Sequence, residues 1–240
     1  TQGLTANTLT VSTNTATFGT AVYHVANGNV GIGTSSPGTP LHVYGGDAKI
    51  ENASAAVRTR YVAGSNQWNV EVAQSSNVFQ IFNAAAGTKM LEIDSSGRII
   101  IPNQPSFQAT GSFSFGGSGI ININTILFDT NSNFNTGTYR FTAPVTGKYY
   151  FWGSASFYTA PSGNYVRHGQ LALVKNGSIT QIIKDFTYYN NLGNNQHYAP
   201  AVQGVISMTV NDYIELNMLS WSASGSFTNF GCYFGGHLIG

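Results

Sequence analysis

Acid–base chemistry needs carboxylates that can pair, and this chain offers few: nine Asp and Glu among 240 residues. Glu92 and Asp94 stand two apart, so on a strand they would share a face. Two carboxylates on one face could serve glycoside hydrolysis, which needs them ~5–9 Å apart. Arg98 follows closely, and a solvated strand face beside that arginine is the expectation. The later acids, Asp129, Asp185, Asp212 and Glu215, are too few to build an acid/base pair. His168, His197 and His237 are scattered, with no neighbour at metal-ligand spacing, so neither a metal nor another cofactor is expected. There is no G-x-S-x-G, P-loop, H-E-x-x-H or paired-cysteine pattern. The expectation is a protein that is not an enzyme.

One stretch is composed for recognition instead: DFTYYNNLGNNQHYAP, from Asp185 to Pro200. Tyrosine gives a broad, stiff contact face at low entropic cost, and asparagine gives paired donors and acceptors, a mixture that suits sugars. The candidate receptor-binding residues are Tyr188, Tyr189, Asn190, Asn194, Asn195, His197 and Tyr198. The competing reading is an irregular strand connection whose tyrosines fold onto a subunit surface. A smaller candidate is YTAPSGNY, Tyr158 to Tyr165, expected at the same end of the fold.

The composition limits what must position these residues. Hydrophobic residues make up 42% and aromatic ones 13%, ample for a core. Charged residues are only 8%, against about 25% in an ordinary soluble domain. Asn, Ser, Thr and Gly must carry solubility, which suits an extracellular filament whose contacts change little with salt. A net charge of +1 lacks the basic stripe that a nucleic-acid binder needs. No apolar run approaches the ~20 residues of a membrane helix. Cys232 is the only cysteine, so no disulfide forms within the chain. Its aromatic surroundings, Phe230 to Phe234, predict a small buried apolar residue. The start at Thr1, without initiator Met or signal pattern, fits the distal piece of something longer or a processed product.

Along the chain, residues 1–27 alternate Thr, Val and Asn with little apolar mass. One copy cannot offset its chain entropy there, so the stretch is either disordered or shared among chains. From Gly28 to Gly45 the sequence is GNVGIGTSSPGTPLHVYG. Val30 and Ile32 share a face, Gly31 and Gly33 permit close approach, and Pro37 and Pro40 block stray edge pairing. Residues 46–103 predict a small β module with strands at Val57–Val62, Trp68–Val72, Val78–Phe82, Met90–Ile93 and Arg98–Ile101. Pro102 and Pro105 mark a boundary, and a larger all-β segment begins near Ser106. There Asn176-Gly177 is a strong hairpin signal after LALVK. Leu171 and Leu173 are expected on one face, with Gln170, Ala172 and Val174 on the other. Another turn is expected at Asn211-Asp212, before Ile214, Leu216 and Met218. Strands roughly every ten residues without a helical period predict a β-sandwich.

Two segments resemble known families. Asp129, Phe134, Phe141, Gly147, Tyr149 and Phe151 fill, in register, a pattern that resembles the signature of the C1q/TNF-like jelly roll. Ile123 stands where that pattern opens with Phe, and Gly153 where it closes with an aromatic at a strand end. The Gly28–Gly45 stretch resembles a short motif of bacteriophage tail fibres and trimeric surface adhesins, in which three chains share one β core. The resemblances imply an all-β homotrimeric fibre: an intertwined shaft over 1–45, a small β collar over 46–103 and a jelly-roll head over 104–240. They imply a tail fibre or receptor-binding protein of a virion, extracellular, adhering to a host surface glycan or outer-membrane component. Other tail or fibre proteins would join through the N-terminal side, with no nucleic acid and no membrane insertion. A bacterial surface adhesin of the same architecture is the alternative. A tailspike-like polysaccharide depolymerase is the rival of another class, disfavoured by the scarce carboxylates and the lack of a long β-helix repeat.

Overall fold

The computed structural model describes residues 30–32, 38–43, 49–51, 55–73, 77–112, 118–159, 165–186, 197–224 and 227–240. Residues 1–29, 33–37 and 44–48 of the predicted shaft and its junction therefore lie outside the described residues. The chain divides between Val57 and Arg58 into two units. In the first, β1 (Val30–Ile32) pairs in parallel with β2 (Leu41–Val43), Val30 opposite Leu41 and Ile32 opposite Val43. Gly38 N–H donates to His42 Nδ1 at 3.2 Å, closing the return toward β2.

The second unit begins with an antiparallel five-stranded meander. Its strands are β3 (Val57–Ala63), β4 (Asn66–Ala73), β5 (Val78–Asn83), β6 (Thr88–Ile93) and β7 (Ile99–Ile100). These fall within a few residues of the sequence expectation, because Gly64, Gly87 and Gly97 take the positive φ that the intervening turns require. Glu92 and Asp94 do not converge as a pair. Lys89 binds Glu92, while Asp94 accepts from the Ser96 N–H at 2.9 Å and from Arg98 Nε at 2.6 Å. Those bonds, the Arg98 backbone N–H foremost, hold the Asp94 carboxyl below its ordinary range.

The remaining strands are β8 (Ser106–Gly111), β9 (Gly119–Ile120), β10 (Thr125–Asp129), β11 (Phe134–Asn135), β12 (Arg140–Thr142), β13 (Gly147–Thr159), β14 (Tyr165–Lys175), β15 (Ser178–Phe186), β16 (His197–Tyr198), β17 (Ala201–Met208), β18 (Tyr213–Ser224) and β19 (Phe227–Leu238). One sheet runs β10-β8-β19-β13, with β16 and β17 sharing the far edge of β13. The other runs β11-β12-β18-β14-β15, with β9 beside β18. All of these pairings are antiparallel, and the chain crosses repeatedly from one sheet to the other, the winding of a jelly-roll sandwich.

The core lies between the two sheets and is aromatic on one side of its centre. Phe107 stacks on Phe134 at 5.0 Å and on Phe141 at 4.7 Å, and Tyr149 stacks on Phe151 at 5.9 Å. Four signature aromatics, Phe134, Phe141, Tyr149 and Phe151, are thus the packing centre. Burial raises the Tyr149 phenol's pKa while its hydroxyl donates to Val145 O at 2.8 Å. Asp129 serves the turn before β11, accepting the N–H groups of Asn133 and Phe134 at 3.1 and 2.8 Å. A Cβ at Gly147 would lie 2.7 Å from Leu238 Cδ1 and 3.0 Å from the Gly240 carbonyl oxygen, so the glycine lets the C-terminal residues pass close to β13.

One expectation is corrected. Gly153 is not at a strand end but in the middle of β13, and it leaves no gap. A Cβ there would lie 2.6 Å from Leu216 Cδ1, so the facing leucine already fills the space. Leu171 and Leu173 join the core between the sheets, as expected, and Ala172 and Val174 on the opposite face are buried as well. Ala172 opposes Ile183 and Asn217, and Val174 opposes Ile179 and Glu215, so neighbouring strands shield these small outer residues. Cys232 is fully buried as expected. Its thiol donates to Gly111 O at 3.1 Å, and burial pushes its pKa to about 12.

Candidate functional site

Register places the recognition segments relative to the point where the chain enters the sandwich. Ser106 lies opposite His237, and Gly147 opposite Met208, so the chain comes in and ends at one pole. The tight turns 144–146, 176–177 and 209–212 belong to that pole. Asn176 (φ 50°) and Gly177 (φ 74°) form the expected hairpin. At the other pole Tyr158 opposes His197, Thr159 opposes Phe227, and Tyr165 opposes Ser224. The strands flanking 160–164, 187–196 and 225–226 therefore all end there. The described residues that flank the two candidate stretches share that pole, the one farthest from where the chain enters.

Of the seven candidate residues, Tyr188, Tyr189, Asn190, Asn194 and Asn195 lie outside the described residues. His197 is exposed on β16. Tyr198 is corrected from contact surface to core: it lies opposite Phe157, on the inward side, and is 8% exposed. Successive side chains on a strand point oppositely, so exposure of His197 turns Tyr198 inward.

Beside the start of the long connection, the outer surface of β14, β15 and β18 carries a polar row that the sequence did not suggest. Ser220 Oγ lies 3.1 Å from His168 Nδ1, and His168 Nε2 lies 3.9 Å from Asp185 Oδ1. Gln170 Nε2 donates to the same Asp185 oxygen at 2.6 Å, and Ser220 Oγ contacts Gln170 Oε1 at 3.3 Å. The trio has the residue types of a hydrolytic triad, yet 3.9 Å is too long for a hydrogen bond. Asp185, two-thirds exposed and bound to Gln170, does not orient the imidazole. Chemically the row is a ladder of half-buried donors and acceptors ending at the exposed Asp185, where the Asp185–Pro200 segment begins. No spacing in the sequence announces it, since the β14–β18 register joins residues about fifty positions apart.

The second surface of note is the outer face of the β10-β8-β19-β13-β17 sheet. One row crosses it through Phe128, Gln108, Gly235, Trp152 and Gln203, the next through Ser106, His237, Tyr150 and Val205. Phe128, Val205 and Tyr233 are about half exposed. A Cβ on Gly235 would lie 2.4 Å from Trp152 Cζ2, so this glycine lets the indole lie flat across β19. Tyr150 donates to Gln203 Oε1 at 2.9 Å, and its ring sits 5.7 Å from that of His237. Neither row has an Asp, Glu, Lys or Arg. Where the chain enters the sandwich, a cleft of about 470 Å³ opens among Met90, Ile101, Pro105, Val145 and Leu238. No group of three or more potential metal-ligating side chains converges among the described residues.

These features define an all-β sandwich with exposed aromatic side chains on one outer sheet face. No protein-family model matches the chain, and no curated protein matches it. Among solved structures, the globular domain of zebrafish complement 1qA protein is similar at 20% identity, over 57% of this chain and 98% of that one, with a TM-score of 0.42.

Proposed function

We propose that this chain is the tip of a homotrimeric fibre that adheres to a host cell surface, as the receptor-binding part of a phage tail fibre. The observation that carries this reading is polarity of construction. Tight turns and the incoming chain occupy one pole, while the connections rich in Tyr and Asn leave from the other. A molecule anchored at one end and presenting contact residues at the other is built for attachment. The aromatic sheet face supports the trimer, because apolar patches of this kind mark association surfaces. Three weak sites on one rigid tip gain strength by effective concentration, so each can bind a surface glycan poorly and the fibre still hold. Other fibre proteins join on the N-terminal side. A bacterial surface fibre built from the same parts would use the pole in the same way.

The test replaces Tyr188, Tyr189 and His197 together by alanine in the full chain. Host-cell binding is expected to fall to background while the mass in solution stays that of a trimer. Undiminished binding removes this pole from the proposal, and a monomeric wild-type mass removes the fibre.

A further inference from the structure

The meander leaves its more apolar face the more open one. Opposed residues of an antiparallel pair share a face, so register assigns each side chain to one of two faces. On one lie Asn69, Glu71, Ala73, Val78, Gln80, Phe82, Glu92 and Ile100; on the other lie Trp68, Val70, Val72, Phe79, Ile81, Leu91, Ile93 and Ile99. The first, mixed face is the more buried at its centre, where Val78 is 5% exposed. Asn69, Glu71 and Gln80 are 2%, 8% and 5% exposed, and Glu71 takes Arg58 Nε at 3.2 Å and Gln80 Nε2 at 2.6 Å. The apolar face is the more open one, with Trp68, Val72, Phe79 and Ile99 at 39%, 45%, 41% and 67%. For side chains of this size that is roughly 400 Å² of apolar surface, the size of the largest patch on a typical monomer, which is often functional.

We infer that this apolar face of the meander packs against the same face of other copies of the chain, making a second trimer contact apart from the sandwich. The inference rests on the trimer reading and names the surface that completes it. From β4 to β7 the face has no charge, with Asn83 and Thr88 as polar residues at its rim, so its partner must be apolar, which an identical face is. Area argues the same way. About 400 Å² is half of the ~800 Å² per partner of a stable interface, so this face adds to another contact rather than sufficing alone. Continuity supplies the occupant. Only Ile101 to Pro105 separate β7 from β8, and they are pinned on both sides. Asn103 Nδ2 donates to Lys89 O at 3.2 Å, Asn131 Nδ2 donates to Asn103 O at 3.3 Å, and Gln104 Nε2 donates to Leu238 O. Association of three sandwiches thus holds three meanders at high mutual concentration.

The test is thiol accessibility in the full chain. Cys232 is buried and unreactive, so single cysteines placed by Val72→Cys, Phe79→Cys and, as an exposed turn control, Ser96→Cys report their own surroundings. Maleimide labelling at Val72→Cys and Phe79→Cys is expected to be about tenfold or more slower than at Ser96→Cys, since access limits thiol reactions. All three should label alike in denaturant. Mild oxidation should link Val72→Cys subunits into covalent dimers. The mass of the same samples separates the outcomes. A trimer with fast labelling at both sites overturns the meander contact and leaves the trimer standing. A monomer with fast labelling overturns both. A monomer with slow labelling means that the chain's own segments cover the face, which also overturns the inference.

Discussion

Replacing Gly236 by alanine tests whether the aromatic core is as tightly filled as its geometry indicates. A Cβ at Gly236 would lie 2.3 Å from Phe151 Cδ1, 2.8 Å from Phe151 Cε1 and 2.9 Å from the Tyr150 carbonyl oxygen. Contact at about 3.4 Å requires the ring to retreat by about 1 Å, and interiors packed at crystal density do not offer that space. Phe151 is fully buried, stacked on Tyr149 and edge-on to Phe141 at 5.6 Å. The carbonyl on the other side blocks escape by backbone movement. Overpacking of this kind costs about 1–3 kcal/mol, and the rigid ring places Gly236→Ala near the upper end. Phe151→Ala alone should cost ~3–5 kcal/mol by emptying the site. In the double variant the new methyl points into the vacated volume, so its penalty disappears and the pair costs no more than Phe151→Ala alone. The coupling then equals the Gly236→Ala penalty, about 3 kcal/mol. Urea unfolding at fixed chain concentration measures it, because the stability of an assembly depends on concentration. Penalties that add to within ~0.5 kcal/mol would refute the reasoning.

Two further predictions concern charge. Lys175 at 2.8 Å, the Thr209 N–H and Asn176 hold the Asp212 carboxyl down from 3.8 to about 2. A depressed carboxylate contributes stability above its unfolded value, and that stability is lost as pH falls through the folded one. The melting temperature should therefore drop between about pH 4 and pH 2, and Asp212→Asn should flatten that drop in a thermal scan. Glu215 is 4% exposed, and Arg140 Nε meets it at 2.7 Å while stacking 4.0 Å over the Tyr213 ring. Arg140→Ala leaves that charge buried without its cation and should cost about 3 kcal/mol in urea unfolding. Arg140→Met with Glu215→Leu should come close to the parent, because replacing both partners removes the desolvation penalty.

Local pattern was enough to place most strands and turns. Asn176-Gly177 and Asn211 must bend the chain because their residue types tolerate positive φ, and both do. The aromatic signature from Phe134 to Phe151 marked the core because apolar residues at alternate positions must be covered somewhere. Whatever depends on which strand lies beside which was not legible. Tyr198 turned inward because its register with β13 fixed its face, whereas the sequence showed only a tyrosine among asparagines. His168, Asp185 and Ser220 met through pairings of β14 with β15 and β18 that no local spacing encodes. At Gly153 the space of a side chain is filled by Leu216, from a strand of the opposite sheet, which no local pattern shows. Alternation and turn preference act within a few residues and can be read along the chain. Register and cross-sheet filling are set by contacts between distant segments, and only the assembled sandwich decides them.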